Sequence, residues 1–112
     1  VSTTGHGESL MKTCVARHAA FLMENGIKGL SIYYVRILLS SHAFAGSEPE
    51  EALTRALDHM LKKTSGVGGA IAVSKNGRFG VSFTSEGMSW AAIRDGKLTH
   101  GIYAGERFQE QL

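Results

Sequence analysis

Apolar residues at Leu10, Met11, Cys14, Val15, Phe21 and Leu22 recur at helical spacing and make one broad face. Glu8, Lys12, Arg17 and Glu24 lie mostly off that face, so the pattern predicts a helix over about residues 8–24. Asn25-Gly26 supplies its stop signal. A second helix is announced by Ser47-Glu48-Pro49-Glu50: Ser47 can cap, Glu50 can complete a capping box, and Pro49 is tolerated in the first turn. Ala52, Leu53, Ala56, Leu57, Met60 and Leu61 then mark its apolar face, with Lys62 and Lys63 near the end, where the helix dipole favours cations. The pattern switches to period two after a Gly66-Val67-Gly68-Gly69 loop. A strand over residues 70–74 meets an Asn76-Gly77 hairpin turn, and Phe79, Val81 and Phe83 alternate with Gly80 and Ser82. Residues 88–93 read as the next strand, and Asp95-Gly96 turns it into another over 98–103. Val1-Ser2-Thr3 reads as the end of a strand that enters a loop. The order is helix, helix, antiparallel meander, an α+β class.

Residues 27–46 fit neither period. Their centre is rich in β-branched and aromatic residues, is too short for a membrane span and holds Arg36. An extra strand and a short buried helix both remain open. So do three origins: an interaction element centred on Ile32 to Leu39, a local misfit that exposes a sticky patch, or translated non-coding sequence.

The chain has 112 residues, a length that suits a single domain, and 43% of them are hydrophobic. A net charge of +2 with dispersed basic residues offers no stripe for nucleic acid. One cysteine excludes an internal disulfide and fits a reducing compartment. His6, His18, His42, His59 and His100 show no metal-ligand spacing, so no metal is expected. Cys14 falls on the face expected to be buried, and His18 falls in the apolar stripe, where a packed, hydrogen-bonded histidine is expected. His59 is expected to face solvent. Gly68-Gly69 has no following helix and so fails the phosphate-binding fingerprint; close packing or a turn is the expected role.

The candidate chemistry lies in Ser2-Thr3-Thr4-Gly5-His6-Gly7-Glu8. It sets hydroxyls, glycines and an imidazole just before the first helix. Glycines allow a ligand to approach the backbone closely, and the unpaired N–H groups of a helix start favour negative charge. The string therefore reads as an anion or oxyanion cradle, or as a Gly-containing loop with a helix cap. Glu8 belongs to the first turn, where a carboxylate suits the dipole.

The longer string Thr3-Thr4-Gly5-His6-Gly7-Glu8-Ser9 resembles the substrate loop of the plant-type L-asparaginases, or isoaspartyl peptidases, which are N-terminal nucleophile (Ntn) hydrolases with a threonine nucleophile. Gly68-Gly69-Ala70-Ile71-Ala72-Val73-Ser74-Lys75-Asn76-Gly77 and Phe83-Thr84-Ser85-Glu86-Gly87-Met88 resemble later parts of the same family. So do Trp90-Ala91-Ala92, Asp95-Gly96-Lys97-Leu98 and Gly101-Ile102. The resemblance covers roughly residues 1–26 and 48–103. His6 favours the cytosolic isoaspartyl branch over the lysosomal glycosylasparaginases, so a cytoplasmic location is expected.

The resemblance implies a partial αββα Ntn sandwich over residues 1–112, the back part of a β chain. It implies L-asparagine or a β-aspartyl dipeptide as substrate, with no cofactor. It matches Thr4 to a threonine whose hydroxyl helps stabilise the oxyanion, Gly5 to a glycine that lends it a backbone N–H, and Gly7 to a backbone contact with the substrate's amino-acid end. His6 lies within the same binding string, as ligand contact or as shaper of the loop. The family's nucleophilic threonine heads a β chain made by self-cleavage and lies upstream of the loop. Neither Thr3 nor Thr4 is terminal, so the nucleophile is expected to be absent from this chain. Expected partners are the upstream α/β portion of the same precursor and further copies in an oligomer, with neither nucleic acid nor membrane. The alternative is a catalytically inactive interaction domain, or a gene fragment that retains non-coding sequence.

Overall fold

The computed structural model describes residues 1–26 and 47–112. The ambiguous run at 27–46, with the expected interaction segment from Ile32 to Leu39, lies outside them. The described elements are β1 (Ser2–Gly5), α1 (Gly7–Thr13), α2 (Val15–Asn25), α3 (Pro49–Thr64), β2 (Gly68–Val73), β3 (Phe79–Phe83), β4 (Gly87–Arg94), β5 (Lys97–Tyr103) and β6 (Phe108–Gln111). They form a mixed α/β arrangement with two three-stranded antiparallel sheets, ordered β1-β2-β3 and β4-β5-β6.

Helix α3 is the element everything else rests on. Its Ala52, Leu53, Ala56, Leu57 and Met60 are fully buried, as their three- and four-residue spacing predicts. Each large side chain so buried contributes about 1.5–3 kcal/mol. Leu61, expected on the same face, is 39% exposed at its margin. The stripe packs with Val15 and Ala19 of α2 on the small side chains Ala70 and Ala72 of β2. A Cβ on Gly80 would stand 2.3 Å from the Glu50 nitrogen, so the first turn of α3 lies directly on β3. Thr54 and Ser82 hydroxyls share a 2.9 Å hydrogen bond across the same contact.

The expected Ser47–Glu50 capping box does not form. Glu48 is the N-cap residue, without a side-chain cap, and Pro49 opens the helix. Both carboxylates are drawn into ion pairs instead: Glu48 accepts from Arg78 at 2.6 Å, and Glu50 accepts from Arg107. The Arg107 guanidinium also lies 5.6 Å from the centre of the buried Trp90 ring. Arg107 thereby ties the second sheet to the start of α3.

The first predicted helix is two helices. Cys14 adopts a left-handed conformation, φ 47° and ψ 50°, between α1 and α2. Local bonds favour the break: Thr13 Oγ1 donates to the Ser9 carbonyl at 2.8 Å, and the Cys14 thiol and N–H both reach the Met11 carbonyl. The bend turns Cys14 and Met11 out to solvent, contrary to the buried face expected for them. Val15 and Ala19 keep their places in the core. His18 is half-buried rather than a core residue, and meets the exposed His59 edge-on with ring centres 5.2 Å apart.

The expected single meander divides after β3, where Thr84-Ser85-Glu86 leads away, and β1 adds to the first half through β2. Gly68 and Gly69 stand in β2 and not in the expected loop. The pleat sends Ala70 and Ala72 toward α3 and Ile71 and Val73 to the opposite face, where these two are 42% and 66% exposed. Strand β6 had no sequence signal: Phe-Gln-Glu-Gln has no alternation of character, and the whole strand is exposed. Among the described residues no helix is long and apolar enough to cross a membrane.

Burial first, and then the neighbouring His59, hold His18 below the ordinary histidine range. As pH falls below about 6.5, the unfolded chain takes up protons that native His18 resists. The associated stability is therefore complete above that value and is lost toward the lowered value of folded His18. His18→Phe is expected to flatten the fall of the urea midpoint between about pH 7.5 and 5.5, measured by far-UV circular dichroism.

Candidate active site

Strand β1 runs antiparallel to β2 with Thr4 opposite Gly69 and Gly5 opposite Gly68. In such a ladder, opposed residues alternate between pairs that exchange hydrogen bonds and pairs that do not. The register at this corner is fixed by two observations. His6 donates its backbone N–H to the Val67 carbonyl at 3.0 Å. Gly68 turns both its polar groups the other way: its N–H reaches the Thr84 hydroxyl at 3.1 Å, and its carbonyl accepts the Thr84 N–H at 2.7 Å. Gly5–Gly68 is thus the unbonded pair, and the Gly5 N–H points away from β2, off the outer edge of the sheet.

Only glycine fits there. Gly5 has φ 128°, and a Cβ would stand 2.5 Å from the Gly68 Cα and 2.8 Å from the Val67 carbonyl oxygen. Thr84 secures the other side of the same contact. Its hydroxyl takes the place of a backbone carbonyl as acceptor for Gly68, just where β3 has ended.

Thr4 lies on the face of the sheet opposite α3, the side also taken by Ile71 and Val73, and it is exposed. Its hydroxyl has no partner among the described residues. The opposed Gly69 offers no side chain; a Cβ there would meet the Met88 sulfur at 2.5 Å. Thr4 and Gly5 thus place a hydroxyl and a backbone N–H side by side at an exposed corner of the sheet. A cavity of about 740 Å³, lined in part by Val1, Met23, Pro49, Val73 and Asn76, does not include them.

His6 is the N-cap residue of α1 by position, but its side chain does not cap. Its Nδ1 lies 2.6 Å from the Ser9 hydroxyl. Ser9 is buried at 2% exposure, and a Cβ on Gly66 would come within 2.2 Å of its Oγ. Sequence reasoning passed over Ser9, Gly66 and Thr84 as site-shaping residues; the i, i+3 spacing of His6 and Ser9 at a helix start was the available signal. Gly7 opens α1, and a Cβ on it would touch nothing within 4 Å. Packing among the described residues does not demand a glycine at that position. With only seven residues before the Cys14 bend, α1 brings little dipole to the expected anion cradle. The donors at the corner are individual groups. Among the described residues no group of three or more histidine, cysteine, aspartate or glutamate side chains is placed to hold a metal ion.

The sequence profile of the family described as Asparaginase matches residues 1–102. The chain is 44% identical over 106 residues to the isoaspartyl peptidase/L-asparaginase of Bos taurus, an alignment covering 95% of this chain and 28% of that protein. It is 39% identical over 106 residues to the protein of the same name from Xenopus laevis, with 95% and 28% covered. For the Danio rerio protein of that name the identity is 37% over 112 residues, with 100% and 30% covered. The chain therefore spans less than a third of the length of these relatives. The resemblance read from the loop and the later strands is borne out.

The two loop glycines should respond differently to one methyl group. Gly5→Ala is expected to lower stability by about 2 kcal/mol or more through strain and overlap with Gly68. Gly7→Ala is expected to stay within about 0.5 kcal/mol of the parent chain. Urea unfolding of both variants checks the contrast.

Proposed function

The chain belongs to the asparaginase family, and from that premise we propose that it supplies the oxyanion side of a threonine hydrolase acting on L-asparagine and β-aspartyl dipeptides. The observation that carries this reading is the Gly5 N–H, held out of the β1–β2 ladder beside the unpartnered Thr4 hydroxyl. When a nucleophile adds to the side-chain carbonyl of the substrate, the carbonyl oxygen takes on negative charge. Thr4 donates its O–H and Gly5 its N–H to that oxygen. Both donors are in place before reaction, so little reorganisation is needed as the charge develops.

Gly7 offers its backbone to the amino-acid end of the substrate, and the absence of a side chain keeps that approach open. The attacking group is an N-terminal threonine hydroxyl whose own amine takes the proton. The resemblance puts that threonine upstream of the loop that holds Thr4 and Gly5, so this reading takes it from the part of the relatives that the chain does not span. Collapse of the intermediate expels ammonia or the amino acid of the dipeptide, and water then releases aspartate from the acyl-enzyme. The partner is the rest of the family's chain, whose second sheet would cover Ile71 and Val73 and complete an αββα sandwich. The exposure of those two residues also favours a second reading, a non-catalytic interaction module; turnover by the assembled protein separates the two.

The test assembles this chain with the portion of the Bos taurus relative that it does not span, and follows aspartate release from a β-aspartyl dipeptide. Turnover is expected. Thr4→Val should lower kcat by about 10²–10³-fold, the usual effect of removing one oxyanion donor. A folded assembly without turnover would overturn the enzymatic reading.

A further inference from the structure

The contact between His6 and Ser9 has a chemical direction. Ser9 is buried at 2% exposure, and its hydroxyl finds His6 Nδ1, 2.6 Å away, as its hydrogen-bond partner. If neutral His6 carried its proton on Nδ1, it would donate to Ser9 Oγ, and the buried serine proton would have no acceptor among the described residues. A buried donor left unsatisfied is costly. If Ser9 donates to Nδ1 instead, both groups are satisfied and the imidazole proton sits on Nε2. His6 itself is exposed, and its Nε2 lies on the far side of the ring from buried Ser9. The surroundings hold this arrangement in place. His6 is pinned through its backbone N–H to Val67, Thr13 Oγ1 holds the Ser9 carbonyl, and the bare Gly66 leaves room for the Ser9 hydroxyl.

We infer that Ser9 is a positioning residue: it fixes the neutral His6 ring as the Nε2–H form, an exposed donor in the same string as Thr4, Gly5 and Gly7, whose acceptor we assign as the carboxylate of the substrate's amino-acid end. The inference rests on the hydrolase reading above. It adds a third donor beside the Thr4 hydroxyl and the Gly5 N–H, with a different task. The substrate carboxylate carries the same charge in the ground state and in the transition state. A donor directed at it strengthens both equally and shows in KM, whereas an oxyanion donor shows in kcat.

Four variants in the assembled protein test this: Ser9→Ala, His6→Phe, His6→Gln and the double variant of the first two. Ser9→Ala is expected to raise KM about five- to tenfold with kcat nearly unchanged. Glutamine can accept from Ser9 through Oε1 and present an N–H from Nε2, so His6→Gln should stay within about threefold of the parent KM. Because Ser9 acts through His6, Ser9→Ala combined with His6→Phe should be no worse than His6→Phe alone. Losses that add, or a Ser9→Ala effect confined to kcat, would overturn the inference. A second readout is independent of turnover: ¹⁵N shifts of the His6 ring in this chain, at a pH where the ring is neutral. They should report the Nε2–H form in the parent and a mixture in Ser9→Ala; an Nδ1–H form in the parent would also overturn it. If the parent assembly has no turnover, the hydrolase reading fails, and with it the role at the substrate carboxylate. If turnover is normal and Ser9→Ala changes neither KM nor the ring, only the positioning role fails.

Discussion

The packing of α3 on the small residues of β2 is the constraint from which the rest of the structure follows. Leu53, Leu57 and Met60 are fully enclosed against Ala70 and Ala72. Alanine is what allows the helix to lie so near the strand. With β2 held from below, its upper neighbours have a fixed floor: β1 is registered on one edge and β3 on the other. The polar corner at Thr4 and Gly5 is an outgrowth of that register. A shift by one residue would bring Gly5 into the bonded set of the ladder and turn its N–H inward.

Three glycines around this corner serve separate purposes. Gly5 lets two backbones approach without a side chain between them, and Gly66 makes space for a buried serine and the histidine bonded to it. Gly7 meets no crowding at all. Packing among the described residues does not call for its lack of a side chain, and its place among the proposed ligand contacts rests on the family resemblance. Thr84 contributes in a less obvious way, since its hydroxyl acts as a surrogate carbonyl at the point where the sheet begins to part.

Much of this was legible in the amino-acid order. Helix α3 follows from its apolar spacing, the β2–β3 hairpin from Asn76-Gly77, and the β4–β5 hairpin from Asp95-Gly96. The loop string by itself read as an anion or oxyanion cradle or a capped loop; it was the family resemblance that singled out Thr4, Gly5 and Gly7 within it, with His6 in the same string. What could not be read was decided by contacts remote in sequence or by competing local bonds. The capping box lost its Glu50 to Arg107, which lies in the sheet region far along the chain. The bend at Cys14 was hidden because a helical stripe continues through it, while hydroxyl and thiol bonds to nearby carbonyls end the helix. Strand β6 has no pattern of its own and is recruited by the exposed edge of β5. Ser9 was hidden because burial of a serine depends on a glycine 57 positions away.

The bend at Cys14 has a practical corollary. It leaves the chain's sole thiol facing water, at the far end of the short helix that begins with Gly7. A maleimide fluorophore can be attached there without altering any atom of the corner. Its emission would make this elbow a spectroscopic window on whatever docks in front of α1.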